Sequence, residues 1–197
     1  MWYVVQVTSG SEDKMAELIQ SVVTPGVLQE CFLPKYATEM KVRGTFRPCE
    51  RPLFTGYLFA VTRDPARLAR DLAKIPEFAR VLKVGERYAP LSREEEAWLS
   101  AFTKAGERTV PMSYGVVVGE KIVVTEGPLK GREAMIADVD RRKSVAYLNF
   151  EICGRPVTTR VGLGVVARLP ENVRADYERV VADRRARAQA RRAAELA

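Results

Sequence analysis

The chain has 197 residues, a formal net charge of +7, three cysteines and no histidine. Without histidine there is no imidazole general base, no Ser-His-Asp or Cys-His nucleophilic site and no zinc site with His ligands. The cysteines are too widely spaced for a C-x-x-C motif, which also excludes a Cys₄ metal site. We therefore expect no metal, no cofactor and no enzymatic activity. The positive charge suits a polyanionic partner such as nucleic acid, although many soluble proteins carry as much.

The N-terminal run Trp2–Val7 is too short for a signal peptide and follows no Lys or Arg. No stretch approaches the ~20 apolar residues that a membrane helix needs. Isolated cysteines suit a reducing compartment. The sequence therefore predicts a cytoplasmic protein without a membrane partner.

Residues 1–105 predict an α+β unit that begins with a strand and a helix. The β-branched and aromatic run Trp2–Val7 predicts the strand. Ser9 with Glu12 three residues later predicts a capping box that opens the helix, and Thr24-Pro25-Gly26 ends it.

A polar hairpin and a buried strand are predicted next. Residues 39–43 and 46–50 flank Gly44-Thr45, and Gly44 is expected to take a positive φ. The almost unbroken apolar run Leu53–Val61 predicts a central strand.

Two more helices complete this unit. Asp64-Pro65 predicts an N-cap followed by proline at the first helical position. Ser92 and Glu95 predict a capping box for the last helix, whose packing face is Trp98, Leu99 and Phe102.

The pattern changes after this helix. Residues 106–115 have no clear period and predict a linker, whereas the following segment has strand period. Five short strands separated by turn residues predict a small barrel: residues 121–125, 133–139, 144–150, 155–161 and 165–169. Residues 170–197 are rich in Ala, Arg and Glu and predict a charged helix that frays. A solvated tail and a contact with nucleic acid or an acidic partner are both compatible with it.

Several segments resemble NusG-family transcription elongation factors. In the N-terminal unit these are Trp2–Gln6 with Ser9-Gly10, Arg51–Phe59 and Pro90-Leu91-Ser92, although Thr55 stands where the family has proline. In the C-terminal unit, Gly119–Gly131 resembles a KOW motif. The segments Ser113–Gly115, Glu126–Leu129 and Val161–Leu163 look like LoaP, a specialised antiterminator paralog.

The resemblance implies an α+β fold with two domains. Residues 1–105 would form an NGN-type domain, an antiparallel sheet flanked by helices, that binds RNA polymerase. After the linker 106–115, residues 116–169 would form a five-stranded SH3-like KOW β-barrel, and 170–197 a charged helical tail.

The resemblance also implies that the N-terminal domain binds the clamp helices of bacterial RNA polymerase and holds the enzyme in its elongating form. The matching positions are Gln6, Phe54 and Tyr57. The residues alone favour a core position for Phe54 and Tyr57, because an apolar strand usually belongs to the core. With the resemblance we expect both in the polymerase contact, and Trp2 and Phe59 in the core. The hairpin residues that would reach non-template DNA or the opposite cleft wall, or remain solvated, are Lys41, Arg43 and Arg47.

In LoaP-like proteins the KOW domain is implied to bind a nascent RNA hairpin. Arg141-Arg142-Lys143 predicts a turn that meets adjacent phosphates, entered through Asp138 and Asp140 rather than built on a metal. Tyr147 is the single tyrosine of the barrel, which favours duplex recognition over stacking on single strands. The expected nucleic-acid contacts, which an ordinary charged rim would also explain, are Lys121, Lys130, Arg132, Arg141, Arg142 and Lys143.

The resemblance leaves two functions open. One is processive antitermination by a monomer that RNA recruits. The alternative is a general NusG factor that modulates pausing and bridges polymerase to the ribosome or a termination factor.

Overall fold

The computed structural model describes residues 1–103, 105–119 and 121–169, without the side chains of 41, 42, 46 and 167–169. The predicted tail 170–197 lies outside the described residues. In chain order the elements are β1 (Trp2–Val7), α1 (Glu12–Val22), β2 (Leu28–Phe32), β3 (Lys35–Val42), β4 (Thr45–Pro52), β5 (Tyr57–Thr62), α2 (Pro65–Leu72), β6 (Ala79–Val81), β7 (Lys83–Val84), β8 (Arg87–Tyr88), α3 (Arg93–Phe102), β9 (Thr109–Val110), β10 (Ser113–Val118), β11 (Lys121–Glu126), β12 (Ile136–Asp140), β13 (Val145–Ile152) and β14 (Arg155–Leu169).

The chain packs into two compact units. The first contains Met1–Tyr36, Glu50–Val110 and Asn149–Thr159. The second contains Ala37–Cys49, Pro111–Leu148 and the described residues from Arg160 onwards. Each unit therefore combines segments that are distant in the sequence.

The first unit is built on a four-stranded antiparallel sheet with the order β2-β5-β1-β6. β5 is an interior strand, as its apolar sequence predicts. Alternate residues of β1, beginning with Tyr3, join the core cluster, to which α1 contributes Met15 and Ile19, and α2 contributes Leu68 and Leu72. The period-2 alternation of a strand directs the remaining residues to the opposite face.

The predicted capping box at the start of α1 is wrong. The N-cap is Ser11, which makes no side-chain cap bond. The carboxylate of Glu12 instead accepts hydrogen bonds from the N–H groups of Gly10 at 2.8 Å and Gly56 at 2.7 Å. A tertiary contact has therefore taken the side chain that the local pattern assigned to the cap.

The predicted starts of the other two helices are confirmed. Asp64 caps α2 by accepting from the N–H of Arg67, and Pro65 follows in the first turn. Ser92 and Glu95 form the reciprocal capping box of α3.

The apolar run Leu53–Val61 is not one strand. Residues 53–56 form a turn, and β5 begins only at Tyr57. Gly56 has a φ of +81°, and a Cβ there would lie 3.0 Å from Oγ of Ser9. The turn therefore depends on glycine at this position.

The C-terminal strands form a five-stranded sheet with the order β11-β10-β14-β13-β12. β10 begins at Ser113 and β9 lies at Thr109–Val110, so the expected linker is not irregular throughout. The predicted strand 133–139 begins instead with a 3₁₀ turn over Glu133–Met135. β10 pairs in parallel with β14 and antiparallel with β11.

The predicted separation of the strands 155–161 and 165–169 is also wrong, because β14 runs without interruption from Arg155 to Leu169. A Cβ at Gly162 would lie 2.1 Å from the carbonyl oxygen of Ala37. Glycine here therefore permits close packing of two backbones within the second unit and does not end the strand.

The hairpin β3–β4 turns at Arg43 and Gly44, with φ values of +49° and +87°. The positive φ predicted for Gly44 is therefore confirmed. Residues 37–49 belong to the second unit, where the hydroxyl of Thr38 donates to the carbonyl oxygens of Lys143 and Ser144 at 3.3 and 3.1 Å.

Candidate functional site

Gln6 and Tyr57 are neighbours on the sheet of the first unit. They are directly paired between β1 and β5, so their side chains extend from the same face. Both are half-buried. This face is opposite to the one that packs on α1 and α2, because the alternate residues Val5 and Leu58 belong to that core.

At the other end of the same face the side chains are buried. Trp2 is buried, and Val4 and Phe59 are fully buried. The guanidinium of Arg108 lies 4.9 Å from the ring centroid of Trp2 and 4.3 Å from that of Phe32. The predicted core positions of Trp2 and Phe59 are therefore confirmed.

Arg108 is held by Glu30. Its Nε donates to Oε1 of Glu30 at 3.0 Å. The hydrogen bond from Arg108 is the main cause that lowers the pKa of this carboxyl. The pair remains ionised at neutral pH and fixes the guanidinium over the aromatic rings.

Phe54 lies in a buried aromatic cluster and is only 1% exposed. Its ring centroid is 5.7 Å from that of Phe59 and 5.6 Å from that of Phe150. Phe150 also lies 5.2 Å from Trp98 of α3. A partner could reach Phe54 only after residues that cover it, Phe150 among them, had moved.

The segment Asn149–Thr159 makes further polar contacts within the first unit. The hydroxyl of Thr159 donates to the carbonyl oxygen of Leu53. The N–H of Cys153 donates to Oε1 of Glu95 at 3.0 Å. The indole N–H of Trp98, buried in the same cluster, has no hydrogen-bond acceptor in the part of the chain that the structure describes.

The turn between Phe54 and Tyr57 is fixed from two sides. Glu12 accepts from the N–H of Gly56 at 2.7 Å, and the carbonyl oxygen of Gly56 accepts from the N–H of Val7 at 2.9 Å. Sequence reasoning missed Glu12 as a tertiary contact, because its three-residue spacing from Ser9 matched a local motif.

The basic turn after β12 belongs to the second unit and consists of Arg141, Arg142 and Lys143, all exposed. Oδ1 of Asp140 accepts from the N–H groups of Arg142 at 3.0 Å and Lys143 at 3.1 Å. The hydrogen bond from the backbone N–H of Lys143 is the main cause that lowers the pKa of Asp140. Asp140 is thus the entry to the turn that the sequence predicted.

The three basic side chains of this turn differ in how well they could bind an anion. Nζ of Lys143 forms an ion pair with Oδ2 of Asp140 at 3.2 Å. Arg141 and Arg142 are therefore better placed than Lys143 to attract a phosphate.

The remaining predicted nucleic-acid residues are distributed over the second unit. Lys121 and Lys130 are exposed, and Arg132 is half-buried. Arg43 and Arg47 are exposed on the hairpin β3–β4, whereas the side chain of Lys41 lies outside the described residues.

Tyr147 has a partner that the sequence did not indicate. The guanidinium of Arg160 lies 5.9 Å from the centroid of its ring. The two residues lie in different strands, Tyr147 in β13 and Arg160 in β14, so no local pattern signals this contact.

The described residues include no group of three or more His, Cys, Asp or Glu side chains placed to hold a metal ion. Among the helices in the described ranges, none is long and apolar enough to cross a membrane.

The fold and these surfaces have counterparts among known proteins. Residues 1–99 match the family model described as transcription termination factor nusG, and residues 118–149 match the KOW motif. The transcription termination/antitermination protein NusG of Vibrio vulnificus is 30% identical over 177 residues, covering 85% of this chain and 95% of the relative. Its counterpart in Escherichia coli is 26% identical over 175 residues, again covering 85% and 95%.

A solved structure described as domain interaction in Thermotoga maritima NusG has a TM-score of 0.52 at 20% identity. It covers 83% of this chain and 93% of that one. The likeness concerns the fold, an N-terminal α+β part followed by a KOW part.

A two-part transcription factor with an NGN-like sheet and KOW strands is therefore the class that this structure defines. The chain belongs to the NusG family of transcription termination/antitermination factors.

Proposed function

We propose that this protein binds RNA polymerase through its N-terminal sheet and promotes processive antitermination. Nascent RNA recruits it through the basic turn of the KOW part. This is the function of a specialised, LoaP-like member of the family. The factor makes and breaks no bond. It acts by binding the elongating state of the polymerase more tightly than the paused state.

The open end of the sheet face supports the polymerase contact. Gln6 and Tyr57 lie side by side there and are half-buried, whereas the side chains at the other end of this face are buried. A phenol next to an amide offers an apolar surface with polar edges, which suits the tip of a helical partner such as the clamp helices. Phe54 belongs to the proposed contact in the state in which Phe150 has left it.

The turn at Arg141 and Arg142 is the observation that carries RNA recruitment. Two exposed guanidinium groups follow one another in a backbone that Asp140 fixes. Adjacent arginines can contact consecutive phosphates of a duplex. Tyr147 lies near Arg160, and this leaves little aromatic surface for stacking on single strands.

The family relatives support the alternative, a general NusG factor. The relatives from Vibrio vulnificus and Escherichia coli carry the general termination/antitermination name. In that case the KOW part contacts a ribosomal protein or a termination factor and needs no RNA hairpin.

The proposal includes a domain arrangement. Residues 1–105 form the polymerase-binding domain, 106–115 the linker and 116–169 an SH3-like KOW barrel, and the charged segment 170–197 follows them. The protein acts as a cytoplasmic monomer. Arg43 and Arg47 on the hairpin β3–β4 reach non-template DNA or the opposite cleft wall.

Single-round transcription through a strong terminator tests the proposal. The template carries the native operon leader or an unrelated leader, and the cognate polymerase is used. We expect readthrough that requires the native leader, is lost in Tyr57→Ala and is lost in Arg142→Glu. Arg63→Glu, a charge reversal at an exposed arginine outside both surfaces, is the matched control and retains activity.

Other results separate the alternatives. Readthrough that does not depend on the leader, lost in Tyr57→Ala but kept in Arg142→Glu, favours the general NusG factor. An unaltered readthrough in Tyr57→Ala overturns the proposed polymerase surface.

A further inference from the structure

A third side chain extends the pair formed by Gln6 and Tyr57. β1 pairs with β5 on one side and with β6 on the other, and Gln6 is directly opposite Tyr57 in β5 and Arg80 in β6. Directly paired residues of antiparallel strands extend from the same face. Tyr57, Gln6 and Arg80 therefore form one row across three strands.

The strand register excludes a position of Arg80 on the core face of the sheet. Val81 and Ala79, the neighbours of Arg80 in β6, pack in or against the core cluster on the other face. Alternation along the strand then directs Arg80 away from that core.

Arg80 is exposed and lies beside an exposed aromatic ring. Its guanidinium is 5.6 Å from the ring centroid of Phe78, which is 45% exposed. None of the ion pairs in the described part of the chain involves Arg80. Within the described residues, the row therefore ends in a cation that forms no ion pair and in a large apolar side chain that is exposed.

We propose that Arg80 and Phe78 complete the polymerase-binding surface and that Arg80 pairs with a carboxylate on the helical element of RNA polymerase that contacts Tyr57. This inference rests on the proposed function. Arginine binds a carboxylate with two parallel hydrogen bonds, and arginine and aromatic side chains are enriched among the residues that dominate binding energy. Phe78 contributes apolar contact and orients the guanidinium.

The charge along the row favours a protein partner over a nucleic acid. Arg80 is the single cation among the residues of β1, β5 and β6 that the register in the described structure directs to this face. A phosphate backbone is bound by several cations along a track. One cation between an amide, a phenol and an aromatic ring matches an acidic position on a folded surface.

Binding of the full chain to core RNA polymerase tests the inference. We expect Arg80→Glu to weaken binding about tenfold or more, and Arg80→Lys to weaken it less because the charge remains. Phe78→Ala weakens binding severalfold, and raised salt reduces the difference between wild type and Arg80→Glu. Arg63→Glu is the matched control and binds like the wild type. Thermal melting checks that each variant is folded. Because Arg80 is exposed, we expect its substitution to leave the fold intact.

Tyr57→Ala in the same assay distinguishes a failure of the Arg80 contact from a failure of the polymerase surface as a whole. If Tyr57→Ala weakens binding and Arg80→Glu behaves like Arg63→Glu, the inference is overturned and the proposed function stands. If Arg80→Glu binds polymerase normally but loses affinity for single-stranded RNA or DNA, the partner is a nucleic acid and the inference is wrong. Absence of polymerase binding by the wild type overturns both.

Discussion

At the scale of single residues, Glu12 is an acidic side chain with a structural task. It is buried and bonded to two backbone N–H groups, one in the loop before α1 and one in the turn that carries Phe54 and Tyr57. A buried N–H that loses its acceptor costs about 1–3 kcal/mol. The geometry of the turn that carries Phe54 and Tyr57 therefore depends on a buried carboxylate.

We predict that Glu12→Ala lowers the free energy of unfolding by about 1–3 kcal/mol, since Gly56 loses a buried acceptor. Glu12→Gln loses less, because its amide oxygen can still accept one of the bonds. Urea unfolding measures both. Glu17→Ala on the exposed side of α1 is the control, and an equal loss in that variant would mean that removal of a negative charge from α1, and not the lost acceptor of Gly56, is responsible.

The same residue illustrates what the sequence could predict and what it could not. The capping residues of α2 and α3 were predicted correctly because their partners lie within three residues along the chain. For Glu12 the decisive partner, Gly56, is distant in the sequence, and a local motif competed with it. Pattern alone favoured the wrong bond.

In the candidate site, too, local patterns do not predict the contacts between residues that are distant in the sequence. Gln6 and Tyr57 are implied by the family resemblance alone, because the apolar run Leu53–Val61 does not alternate. The row with Arg80 depends on the pairing of β6, which no local pattern specifies. Phe54 is buried by Phe150 of β13, a contact that periodicity cannot reveal. The local pattern around Gly162 favours a break between two strands, whereas its observed role, close approach to the carbonyl oxygen of Ala37, is tertiary.

At the scale of elements, Asp71 joins the two helices that cover the sheet. Its side chain is 1% exposed, and it accepts from Nζ of Lys74 at 2.6 Å and from the N–H of Thr24, after α1, at 3.1 Å. The hydrogen bond from Lys74 is the largest of the causes that lower its pKa. The ionised form is therefore the one that the folded state prefers.

This preference predicts a pH-dependent stability. Because the pKa of Asp71 is lower in the folded than in the unfolded protein, its contribution is fully present above about pH 4, the pKa of an unperturbed aspartate. The contribution is lost as the pH falls further, when the unfolded state takes up a proton first. Asp71→Asn should therefore destabilise the protein at pH 7 and differ less from the wild type near pH 2.

Urea unfolding of both proteins between pH 2 and pH 7 measures this difference. Glu17→Gln, an exposed carboxylate on α1, is the control and should show little change across the range. A difference between Asp71→Asn and wild type that is constant with pH would contradict the prediction. It would indicate that shape and not charge holds Asp71 in place.

At the scale of the whole molecule, the question is whether Phe54 is core or contact. Its ring is covered in part by Phe150, which also packs on Trp98. Any partner that uses Phe54 must first displace this segment, and the measured affinity is reduced by the fraction of molecules in which it is displaced. A partner that uses only Gln6 and Tyr57 meets no such requirement.

Phe150→Ala distinguishes the two cases. Each of its two aromatic pairs contributes about 0.5–1.5 kcal/mol beyond burial, so the substitution should loosen Asn149–Thr159 from the first unit. In a Trp2→Phe background, acrylamide quenching of Trp98 should increase, whereas Glu151→Ala on the exposed side of β13 should leave it unchanged. If Phe54 is part of the polymerase contact, Phe150→Ala binds core polymerase severalfold more tightly, because less free energy is spent on exposing the ring. An affinity equal to that of the wild type, measured with quenching clearly increased, would assign Phe54 to the core and restrict the contact to the open row of the sheet.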